Sequence, residues 1–160
     1  MRKILFLFLV GGWTASAGLA QDLTLDVKKI YDDAGRLQAD INLRNGVKNG
    51  PVHEYDPGGW LKEEWNYTDG HKDGWHRQYD AEGRVLLEEQ YAADQLHGVS
   101  RSFYPDGTLQ QEMHFDHDVQ QGDAESYFDN GQLEEQGTFE SGELEGVVKI
   151  YSPEGHLLRE

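Results

Sequence analysis

Gly98-Val99-Ser100-Arg101-Ser102-Phe103-Tyr104-Pro105-Asp106-Gly107-Thr108-Leu109-Gln110-Gln111-Glu112-Met113-His114-Phe115 reads as two short strands joined by a tight turn. A Pro-Asp-Gly run between two alternating segments is what a hairpin ending in a left-handed residue requires. The same plan returns 24 residues later from Gly122 to Phe139, with Tyr127-Phe128-Asp129-Asn130-Gly131-Gln132-Leu133 in place of the first turn region. Extending that step in both directions covers nearly the whole chain. One glycine series runs Gly50, Gly74, Gly98, Gly122, Gly146, and a second runs Gly35, Gly59, Gly83, Gly107, Gly131, Gly155. An internal period of this length marks a repeat architecture.

Other columns keep the step. Four residues before each second-series glycine stands Tyr31, Tyr55, Tyr79, Phe103, Tyr127 or Tyr151, and two after it stands Leu37, Leu61, Val85, Leu109, Leu133 or Leu157. Six residues further come Leu43, Tyr67, Tyr91, Phe115 and Phe139. Register is unbroken from Val27 onward, so both turns of the unit are structurally fixed. Each unit is expected to hold a strand of about five residues after the first glycine, a tight turn, and a returning strand. The even spacing of the aliphatic and the second aromatic places them on one face. A looser connection, Asn66 to Asp73 for instance, then restarts the unit. No segment after the N-terminus has helical apolar spacing. The expected fold is all-β: a single elongated, curled antiparallel meander of about eleven strands, with units starting near Val27, Gly50, Gly74, Gly98, Gly122 and Gly146 over residues 21–160.

The pattern Gly-x4-Tyr-x3-Gly-x-Leu-x5-Tyr/Phe at this period resembles the MORN repeat, specifically its bacterial variant, found in proteins grouped with the YwqK-like antitoxin family. Gly98–Phe115 and Gly122–Phe139 carry the resemblance most clearly. It implies scaffolding or interaction modules and carries no catalytic residue over. An antitoxin role combined with export would suit an immunity factor against an incoming toxin. A membrane-lipid role, also associated with such repeats, fits poorly where Glu64, Glu88 and Glu112 stand in one column.

Residues 1–20 differ from the rest. Arg2 and Lys3 precede the apolar run Ile4–Val10, and the small residues Ala15, Ser16, Ala17, Gly18 and Ala20 follow. These are the parts of a cleaved secretory signal, and seven apolar residues are too few to span a bilayer. The expected location is therefore periplasmic or secreted. With no cysteine in the chain, lipidation at a thiol, disulfides and thiolate metal sites are all excluded.

The 160 residues carry 30 acidic against 14 basic side chains, a formal charge of -16. That balance argues against nucleic acid and anionic lipid, which are held through Lys and Arg. It points instead to another protein, basic by complementarity, or to a second copy of this chain. The expected function is a non-enzymatic binding or scaffold protein without cofactor. The alternatives are a self-associating envelope structural protein and a carbohydrate-binding or carbohydrate-active protein.

Candidate sites lie where one repeat differs from the next. Trp60, Trp65 and Trp75 with Tyr67 fall within sixteen residues, and read either as a recognition patch or as extra core at the sheet's N-terminal end. Glu64, Glu88 and Glu112, with Gln136, are expected to face away from the Leu/aromatic spine as an acidic ridge, read more readily as a solvated face than as a docking strip. His114, Asp116, His117 and Asp118 form the densest group of metal-ligating types. Facing differs between the two histidines, which favours a solvated loop, so no metal is expected. Catalytic residues are not expected either. Structural repeat positions are Tyr55, Gly59, Leu61, Tyr79, Gly83, Gly98, Phe103, Gly107, Leu109, Tyr127, Gly131 and Leu133.

Overall fold

The computed structural model describes residues 24–160; the expected signal segment, residues 1–20, lies outside them. Twelve strands follow one another: β1 Leu25–Tyr31, β2 Leu37–Arg44, β3 Val47–Tyr55, β4 Leu61–Thr68, β5 His71–Tyr79, β6 Val85–Ala92, β7 Gln95–Phe103, β8 Leu109–Asp116, β9 Val119–Tyr127, β10 Leu133–Glu140, β11 Glu143–Tyr151 and β12 Leu157–Arg159. They form one sheet in chain order, every neighbour antiparallel. It is an open, curled meander, as expected, with one strand more than the eleven anticipated, and no helix occurs among the described residues.

Two turn types alternate. After each odd strand an Asp, Tyr, Phe or Ser opens a turn closed by two backbone bonds, such as Asp80 N to Arg84 O (2.9 Å) and Gly83 N to Asp80 O (3.0 Å). Side chains reinforce it: Asp80 Oδ1 accepts from the amides of Glu82 and Arg84. After each even strand only two residues intervene, both left-handed: Asn45-Gly46, Asp69-Gly70, Ala93-Asp94, His117-Asp118 and Ser141-Gly142. Paired left-handed residues are the type I′ geometry, whose twist matches that of the flanking strands.

Three expectations need correction here. The Asn66–Asp73 connection is not loose, because β4 runs to Thr68 and β5 begins at His71. The first-series glycine does not start its strand; it is the fourth residue of a nine-residue strand, where a positive φ (98° at Gly50) serves a bulge against the preceding strand. The third concerns facing. In every unit one extra residue follows the odd-strand turn: Tyr55 pairs with Leu61 but Glu54 with Glu63, leaving Lys62 over. A single inserted residue inverts the side-chain alternation. Leu61 therefore shares a face with Tyr55, Tyr79 and Glu64, while Trp65 and Tyr67 lie on the opposite one. The Leu/aromatic spine is divided between two faces.

Both faces are only half covered. Val52 and Val99 are the buried aliphatics, and His76, Ser100 and Ser152 the buried polar residues. A single-layer sheet has no enclosed core, so its cohesion comes from backbone ladders and cross-strand side-chain pairs.

Candidate functional site

The face holding Glu64 carries a charge ladder. Directly opposite residues on successive strands are Lys29, Asp40, His53, Glu64, Arg77, Glu88, Arg101, Glu112, Glu125, Gln136 and Lys149. Lys29 stands opposite Asp40, and from Glu64 to Glu112 the signs alternate, with the His53 imidazole between Asp40 and Glu64. Asp40 Oδ1 meets His53 Nδ1 at 2.7 Å, Arg101 Nη1 reaches Glu88 at 3.2 Å and Arg101 Nε reaches Glu112 at 2.5 Å. The tyrosines share this face: Tyr55 donates to Asp40 (2.8 Å), and Tyr79 donates to Glu64 (3.2 Å). Burial and the adjoining carboxylate push Tyr55 up to about 12. Glu64, Glu88 and Glu112 thus do not form an acidic ridge; each lies between cross-strand partners. The alternation fails once, where Glu112 stands opposite Glu125. Glu125 is held there by Tyr127 Oη (2.5 Å) and Gln136 Nε2 (2.9 Å) instead of a cation.

The three tryptophans do not meet. Trp75 lies on the ladder face under the Arg77 guanidinium (5.2 Å), and Trp60 is half-buried beside the β3–β4 turn. Trp65 is on the opposite face, stacked on the buried His76 with ring centroids 3.5 Å apart and edge-on to Tyr91 at 5.5 Å. His76 Nδ1 is 3.0 Å from Glu89 Oε2, and Trp65 Nε1 donates to Glu63 Oε2 at 3.2 Å. Lys72 Nζ lies over Trp65 (3.8 Å), and Lys48 Nζ over Tyr67 (4.4 Å). The aromatic patch is therefore already roofed by cations from its own sheet.

Further along this face the same columns change character. Where Trp65 and His76 stand, later units place Met113 and Ala124, then Gly137 and Val148; where Lys48 and Lys72 stand, they place Leu96, Gln120 and Leu144. Large rings and covering cations give way to small and aliphatic residues. The result is a hollow of about 300 Å³ lined by Met113, Ala124, Gly137, Phe139, Leu144 and Val148, with polar residues including Glu125 and Glu135. Gly137 makes room directly, since a Cβ there would lie 3.0 Å from Leu144 Cδ1. Leu144 itself is 48% exposed. The surrounding charge is one-sided: between Arg101 and Lys149 the chain has twelve Asp and Glu and no Lys or Arg. None of the hollow's residues was among the sequence candidates. The signal was available as the loss of bulk at columns 65 and 76, but it has meaning only once those columns are known to share a face.

The His114–Asp118 group also separates. His114 Nδ1 lies 3.1 Å from Asp123 O, and Asp118 Oδ1 accepts from Leu96 N at 2.8 Å. His97, from the start of β7 in the same hairpin, joins Asp116 and His117 in their place.

This architecture defines an open, single-layer β-repeat protein in which each hairpin is one unit. Residues 48–69, 96–117 and 120–141 each match the family model of the MORN repeat variant. Each match runs from the second residue of an odd strand to the first residue of a type I′ turn, so the family unit and the structural unit coincide. No curated protein matches the chain.

Proposed function

We propose that this chain is an exported, non-enzymatic binding protein that holds a cationic protein segment against the Met113–Val148 hollow. The observation carrying this reading is an open hollow that combines apolar residues such as Met113, Leu144 and Val148 with the carboxylates Glu125 and Glu135, within a stretch of twelve acids and no Lys or Arg. An apolar side chain flanked by Lys or Arg would fill the hollow while its charges met the rim, and the field would speed its arrival. Repeats of the MORN variant support a binding or scaffold role. Export is supported by the character of residues 1–20. The specific form we favour is immunity- or antitoxin-like, with the captured segment belonging to an incoming toxin.

Site-directed photo-crosslinking in the producing cells tests this. A crosslinker at Met113 should trap one partner protein, and one at Thr138, on the opposite face, should not. Leu144→Lys, at an exposed position, should abolish the adduct without unfolding the sheet. An adduct with a second copy of this chain would establish self-association instead, and crosslinking from Thr138 alone would overturn the proposal.

A further inference from the structure

The residue just before the bulge glycine reaches, in two units, to the type I′ turn that closes that same unit. Asn49 Nδ2 donates to Asp69 Oδ1 (3.2 Å), and Gln121 Oε1 accepts from Ser141 N (2.9 Å). These hydrogen bonds tie the start of a unit's odd strand to the turn at the unit's end. In the unit between them the same reach brings together three metal-ligating groups. His97 Nδ1 and His117 Nδ1 converge on one oxygen, Asp116 Oδ1, at 3.0 and 2.5 Å, and their rings lie 5.0 Å apart at 65°. One ligand atom from each residue lies within 4.8 Å of the others.

The arrangement is held from below. His117 and Asp118 both adopt left-handed φ (50° and 67°) in the two-residue turn. Asp118 fixes that turn to the start of β7 twice, through Leu96 N to its Oδ1 (2.8 Å) and its own amide to Leu96 O (2.9 Å). His97 stands on β7 one residue beyond Leu96. Backbone pairing thus fixes the two positions from which the imidazoles project toward each other. All three side chains are about half exposed or more, so none is required for packing.

We infer that His97, Asp116 and His117 bind a divalent transition ion of the zinc type. Two imidazoles and one carboxylate suit Zn²⁺, Co²⁺ or Ni²⁺, whereas Mg²⁺ and Ca²⁺ require oxygen ligands. Zinc ligands stand about 2.0–2.2 Å from the metal. The present contacts must therefore open by less than about 1 Å to admit the ion. Three protein ligands leave a fourth position for water or for a side chain of a bound protein.

Isothermal titration of the untagged full chain with ZnCl₂ tests the site. One equivalent should bind saturably, and MgCl₂ should give no isotherm. His97→Ala and His117→Asn should each weaken zinc binding by about tenfold or more; Asn45 already occupies the column of His117 in the left-handed conformation. His71→Ala removes the lone exposed histidine paired with Asp94 in the preceding unit (2.6 Å) and should leave binding unchanged. Circular dichroism confirms that each variant keeps its sheet, and Asp116→Asn supplies a third test should either histidine variant lose it. Absence of saturable zinc binding, or binding that survives both histidine substitutions, would overturn the inference.

Discussion

His76 is 3% exposed, stacked on Trp65 and placed between Glu63 and Glu89. Its Nδ1 meets Glu89, while its buried Nε2 has no hydrogen-bond partner and lies 3.7 Å from Glu63. The contact with His76 holds the Glu89 carboxyl below its ordinary pKa, against the opposing effect of burial. A lowered native pKa means that the native state favours the ionised form. The stability this contributes is present above the unfolded-state pKa and is lost as pH falls through the native one. Glu89→Gln keeps the shape and removes the charge. It should therefore cost about 1–2 kcal/mol at pH 7. The gap from wild type should narrow as urea midpoints are measured at successively lower pH below the carboxylate range. A gap constant with pH would mean that the cost comes from the altered hydrogen bonding of the amide and not from the lost charge. At the alkaline end, burial first and then Glu89 push Tyr91 up to about 12. Its preference for the neutral form stabilises the native state below pH 10 and is lost as pH rises toward 12.

The odd strand with its bulge glycine is the element that repeats, and its glycines are not equivalent. At Gly98 (φ 115°) an added Cβ would lie 2.3 Å from Oε1 of Gln90, the oxygen that accepts from Val99 N. At Gly146 (φ 74°) nothing lies within 4 Å. Gly98→Ala should cost about 2–3 kcal/mol, backbone strain plus displacement of Gln90, and Gly146→Ala about 1 kcal/mol, strain alone. Thermal melts of the two variants check the order. The period, the hairpins and the left-handed glycines were all legible in the sequence, because turns demand particular residues. Facing was not. It depends on the inserted residue of each hairpin, and Gln38, Lys62, Leu86, Gln110, Glu134 and Leu158 share no chemistry. Reading Leu61 and Tyr67 as one face followed from parity that this residue breaks. The charge ladder was hidden for the same reason, since Glu64 and Arg77 become opposites only through the bulged register. The His97 group needed contact between the two far ends of one hairpin, whereas sequence proximity favoured His114.

Charge is distributed unevenly over the whole molecule, and the distribution couples stability to the proposed function. Of the twelve basic residues from Lys28 onward, ten precede residue 102, so the N-terminal units neutralise their own ladder while the C-terminal units do not. Glu112 opposite Glu125 is the rung where this becomes a direct like-charge pair. Like charges directly opposite one another destabilise a sheet, and exposed repulsion is screened by salt. Raising ionic strength from about 10 mM to about 500 mM should therefore raise the melting temperature. Glu125→Arg would continue the alternation set by Arg77 and Arg101 in the same column. It forfeits the bonds from Tyr127 and Gln136 but pairs Glu112, for a net gain of about 0.5–1 kcal/mol. Its melting temperature should rise by a few degrees and respond less to salt. Capture of a cationic partner at the hollow should weaken, because Glu125 is one of the residues lining it and the substitution reverses that charge. A variant that melts higher and binds less would identify the acid pair as stability given up for recognition. One that melts higher and binds equally well would place the partner's charges elsewhere on the sheet.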